Sequence, residues 1–154
     1  MGFQDDWMMR QIEMMTQFVA NVVFGKKESE ITYEVIGEIG DSTSLTPLDQ
    51  LHLQLCRMIR EGDICGAEDI LYDNMEYSND YIRLASDFYM RLNKLSDEEL
   101  DAGDFSRDEV YEGYIDMMSR LGVPVDIFGS ADKSDYFVKS APDDDSAADA
   151  PSVF

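Results

Sequence analysis

Histidine occurs once in these 154 residues and cysteine twice, while 12 Lys and Arg face 33 Asp and Glu. The shortage of nitrogen and sulfur ligands argues against zinc, which takes about four of them: His52, Cys56 and Cys65 make no recognisable set. The shortage of positive charge leaves a formal net charge of −21. A surface of that sign repels nucleic-acid phosphates and anionic lipid headgroups, so neither nucleic acid nor membrane is expected as a partner. No run reaches the roughly 18 apolar residues that a membrane span needs. The apolar opening is interrupted by Arg10, Gln11, Glu13 and Gln17 and lacks a basic lead, so it does not read as a secretory signal. The expected setting is cytoplasmic, with both thiols reduced. The signatures GxGxxG, GxxxxGK[ST], HExxH and GxSxG are also absent, which removes the usual support for nucleotide, metalloprotease and serine-hydrolase readings.

What is present is enough apolar material for a core. The chain is 44% hydrophobic and 11% aromatic, values typical of a folded domain rather than a disordered one. Charge is distributed unevenly. Residues 1–27 balance Asp5, Asp6 and Glu13 with Arg10, Lys26 and Lys27, so a neutral opening precedes an acidic body.

Helical periodicity dominates. Residues 5–24 predict a first helix with Asp5 as N-cap and Gly25 as a left-handed stop. Met8, Ile12, Met15, Val19 and Val22 follow a 4-3-4-3 spacing along one face. Trp7, Met14 and Phe18 widen that face to about half the circumference, which implies burial on two sides. Residues 26–45 read as a polar linker, except that "ITYEVI" (31–36) alternates like a strand and is expected to lie extended on helices.

From Thr46 the signals sharpen. Thr46, Pro47 and Asp49 open a helix with a capping box and an N1 proline, and Gly62 ends it. A second helix (64–75) follows so closely that the two must be antiparallel neighbours. A third (78–95) should bury Tyr81, Leu84, Phe88 and Leu92. The Ser96/Glu99 pair predicts a single turn, and Ser106/Glu109 opens a last helix that stops at Gly122. The expected fold is all-α: a long amphipathic N-terminal helix (1–25) packed with two helical hairpins (46–122), in one domain over 1–128. "VPVDIF" (123–128) is apolar enough to fold back on it. The Asp-, Ala- and Ser-rich stretch 129–154 is expected to be a disordered acidic tail.

The first hairpin, Thr46 to Tyr77, is close to the tetratricopeptide period of roughly 34 residues, with small Ala67 near the start of its second helix. The Trp and the closing Pro of that repeat are missing, so the arrangement is tetratricopeptide-like rather than a repeat array. A nearer likeness lies in "FQDDWMMRQIEMM", "GDICGAEDILYD" (62–73) and "DFSRDEVYEGYIDMMSRLGV" (104–123). Together these resemble an uncharacterised bacterial family of small helical proteins over roughly residues 1–125. The resemblance implies an all-helical fold and carries over no catalytic or binding residue.

Candidate chemistry is sparse. His52 and Cys56 share a helix face at i, i+4, but no third orienting group is visible. Asp97, Glu99, Asp101 and Asp108 mimic part of a calcium loop, yet Ala102 stands where glycine is required. No catalytic, metal or cofactor site is assigned. Arg57, Arg60, Arg83, Arg91 and Lys94 form a basic cluster whose spacing fits salt bridges. The expected role is therefore a non-enzymatic protein–protein interaction or self-association module. Its candidate surface is Trp7, Met8, Met14, Met15, Phe18 and Val22, because methionine adapts to irregular partners. The alternative is a small hydrolase or ligand-binding protein using clustered carboxylates.

Overall fold

The computed structural model describes residues 3–27, 30–38, 40–41, 43–125 and 128. Among them six helices and no strand are found: α1 (Phe3–Phe24), α2 (Pro47–Arg60), α3 (Ile64–Asp73), α4 (Asn79–Asn93), α5 (Asp97–Ala102) and α6 (Arg107–Arg120). The fold is all-α. No helix among the described residues is long and apolar enough to cross a membrane.

The starts of α2 to α6 are written in short polar side chains, whereas α1 already begins at Phe3, so Asp5, expected as its N-cap, lies inside the helix. Thr46 accepts a hydrogen bond from the Asp49 N–H while the Asp49 carboxylate accepts from the Thr46 N–H, the reciprocal box read from the sequence. Ser96 and Glu99 do the same for α5. Asp63, Ser78 and Ser106 cap α3, α4 and α6. Gly25, Gly62 and Gly122 follow α1, α2 and α6 with φ of +66°, +84° and +88°, a backbone region in which a Cβ is costly.

Packing makes α4 the centre. It contacts α1, α2 and α6; α1 also packs on α6, and α2 on α3. Tyr81, Leu84, Phe88 and Leu92 are buried as the spacing predicts, but so are Ile82, Ala85, Ser86, Asp87, Tyr89, Met90 and Asn93. A helix enclosed on three sides keeps only a narrow solvent edge, here Asp80, Arg83 and Arg91, so its four-residue stripe understated its burial. Tyr89 stacks on Tyr114 with ring centroids 5.3 Å apart. The hydroxyls of these enclosed rings find partners, as buried polar groups must. Tyr89 donates to Glu68 Oε2 (2.6 Å), Tyr114 shares a bond with Thr16 Oγ1 (3.0 Å), and Tyr81 donates to the Leu71 carbonyl.

The segment 31–37 keeps the alternation of a strand without a ladder. Ile31 and Tyr33 are buried while Thr32, Glu34 and Ile36 are exposed. Its backbone bonds go to carboxylates on helices. The Tyr33 N–H donates to Asp87 Oδ2 (2.8 Å), and the Ile36 and Gly37 N–H groups donate to Asp49 (2.9 and 2.8 Å).

The described residues up to Val123 form one compact unit. The expected disordered tail, 129–154, lies outside the described residues, as do Asp126 and Ile127 of the apolar stretch 123–128.

Candidate functional site

Two places merit a functional reading: the exposed flank of α1, and α2 with the residues it brings near α4. On α1, Met8, Ile12, Met15 and Val19 are at most 2% exposed. They form the face that α4 and α6 cover. Thr16, on the same side, donates to the Ile12 carbonyl (3.0 Å) and meets Tyr114, which ties α1 to α6. Met8 and Met15 were expected on an interaction surface; they are core residues instead, because their spacing belongs to the inward face. Trp7 is half-buried, its ring edge against Tyr111 at 6.1 Å. Phe18 is half-buried, and Met14 and Val22 are each 46% exposed. Met14, Phe18 and Val22 lie at i, i+4 and i+8, so they form one ridge over two turns of helix.

On α2, His52 brings together groups that the sequence kept apart. Its Nε2 lies 3.6 Å from Cys56 Sγ, the i, i+4 pairing anticipated from spacing. Its Nδ1 lies 3.9 Å from Asp87 Oδ1, beyond hydrogen-bond length but within electrostatic reach. Asp87 is itself fixed by the Tyr33 N–H and by Arg91 Nε (2.5 Å). Asp87 is the orienting group that sequence reading lacked. It sits on α4, 35 positions from His52, and no local signal links the two.

This line of thiol, imidazole and carboxylate resembles a nucleophile with its base, but the electrostatics are those of a resting structure. Burial lowers the His52 pKa more than Asp87 raises it, and Arg91 lowers it further, so the ring is neutral at pH 7. Burial pushes the Cys56 thiol above its ordinary value. A neutral thiol beside a neutral imidazole is a poor nucleophile.

Cys56 also lines an open cavity of about 640 Å³ with Leu45, Gln50, Leu53, Gln54, Arg57 and Arg60. No Asp or Glu stands in that lining, so the carboxylate-based alternative gains nothing from it. Among the described residues, no group of three or more His, Cys, Asp or Glu is placed to hold a metal ion. Asp97 of the calcium-like loop pairs with Arg107 Nη2 (2.8 Å).

The basic cluster divides. Arg91 pairs with Asp87 and Lys94 with Glu30 (2.9 Å), as expected for salt bridges, and Arg83 lies over the Phe24 ring. Arg57 and Arg60 instead border the cavity.

Comparison with known proteins adds one match. A family model described as "Family of unknown function (DUF6483)" matches residues 2–122. No curated protein and no solved structure matches the chain.

Proposed function

The chain belongs to this family of unknown function, and from that premise we propose a non-enzymatic interaction module that associates with a second copy of itself through α1. The observation that supports the reading is the Met14–Phe18–Val22 ridge, on the flank of α1 that adjoins its core face, where Met14 and Val22 stay exposed. A ridge at i, i+4, i+8 is the shape that interlocks with another helix. Charge favours the same partner. Residues 1–27 are neutral within a chain of net charge −21, so a second copy is repelled less at this segment than at the acidic body. In an antiparallel pair with its two-fold axis at Phe18, Met14 of one copy meets Val22 of the other.

The reading treats α2–α3 and α4–α6 as two tetratricopeptide-like hairpins, a scaffold that serves to present faces. It takes the protein as cytoplasmic, which suits the two free thiols of Cys56 and Cys65. Nucleic acid and membrane have no place in it.

Light scattering over a concentration series tests it. The wild-type mass should rise toward twice the monomer value, and Met14→Glu/Val22→Glu should remain monomeric with an unchanged helical spectrum. A wild type that stays monomeric at the highest concentration sinks the reading. Met8→Glu or Val19→Glu would be uninformative choices, because charge placed in that core unfolds the protein.

A further inference from the structure

Most arginines of this acidic chain have partners. Arg91 is paired with Asp87, Arg107 with Asp97 and Arg120 with Asp116 (2.7 Å), while Arg83 covers Phe24. Among the described residues, Arg57 and Arg60 have no ion pair and no side-chain hydrogen bond, despite the net charge of −21 around them. They stand three apart on α2, so their side chains leave one face together. Both border the cavity, whose lining contains no carboxylate to neutralise them.

The remaining wall is of two kinds. Gln50 and Gln54 offer neutral amide donors, and Leu45, Leu53 and the Cys56 thiol offer an apolar surface. A guanidinium presents a planar fork that matches an oxyanion with two parallel hydrogen bonds.

We propose that this cavity binds a small amphipathic oxyanion. Its carboxylate or phosphate head lies between Arg57 and Arg60, and its short apolar body rests on Leu45, Leu53 and the Cys56 thiol. The site is separate from α1, and its success or failure is independent of self-association.

Calorimetric titration of the full chain with octanoate and octyl phosphate, with octanol as the uncharged control, tests the proposal. At least one anion should bind saturably, and Arg57→Gln/Arg60→Gln should weaken it about tenfold or more while the helical spectrum is unchanged. The tighter of the two anions identifies the head group. Octanol binding as tightly as the anions overturns the proposal, as does unaltered affinity in the double variant or no saturable binding of either anion. Location is read separately. In a Cys65→Ser background, the bound anion should slow alkylation of Cys56 by iodoacetamide, and an unchanged rate at saturation places the anion elsewhere and overturns the assignment.

Discussion

Asp49 carries two duties that its position in the sequence reveals only in part. As the third helical residue of α2 it completes the capping box with Thr46. The same carboxylate accepts the Tyr33 hydroxyl (2.8 Å) and the Ile36 and Gly37 N–H groups. Burial alone would raise its pKa, but these bonds favour the charged form more strongly and hold it well below the ordinary carboxylate value. The neighbouring Tyr33 hydroxyl is pushed up to about 12, by burial and by its bond to that charge. Because the folded pKa of Asp49 is depressed, its stabilisation is complete above the unfolded pKa of about 4 and is lost as pH falls through the folded value. Asp49→Asn should therefore lower the melting temperature by a constant amount at neutral pH, with the gap to wild type closing below about pH 4. Thermal unfolding followed by circular dichroism over a pH series reads this, and a gap that persists unchanged into strong acid refutes it.

Between the two sides of α1 the distinction is energetic. Met15 is 0% exposed against α4 and α6, whereas Met14, its neighbour in sequence, is 46% exposed. Met15→Ala should cost about 2–5 kcal/mol through lost transfer energy and a residual cavity. Met14→Ala should stay within about 0.5 kcal/mol under conditions where the chain is monomeric. Urea unfolding separates them, and equal losses would mean that α1 is seated differently. The termini of these elements were readable because capping is local: Thr46, Ser96 and Gly25 act on groups within four residues of themselves. The depth of α4 was not. Its periodic Tyr81, Leu84, Phe88 and Leu92 describe one contact face, and nothing in the helix states how many neighbours will enclose it.

For the whole molecule, charge and fold pull against each other. The net charge of −21 makes the compact state repel itself, and ion pairs such as Lys94–Glu30 and Arg120–Asp116 are too exposed to offset that. Raising salt from about 0.01 M to about 0.1 M shortens the screening length from roughly 30 to roughly 10 Å. The melting temperature should rise by a few degrees, about the shift expected for 1 kcal/mol in a domain of this size. A fall would show that attractive pairs dominate the surface.

The sequence by itself determined the helical class, the stops, the caps of α2 to α6 and the neutral character of the opening segment, because periodicity, backbone freedom and charge count are properties of the chain alone. Tertiary structure decided which half of the methionine arc is core, through the packing of α4 and α6 on α1. It also decided that Asp87 comes within reach of His52, and that Arg57 and Arg60 face a cavity with no carboxylate in its wall. Each of these depends on a distance between residues far apart along the chain, which no local pattern encodes.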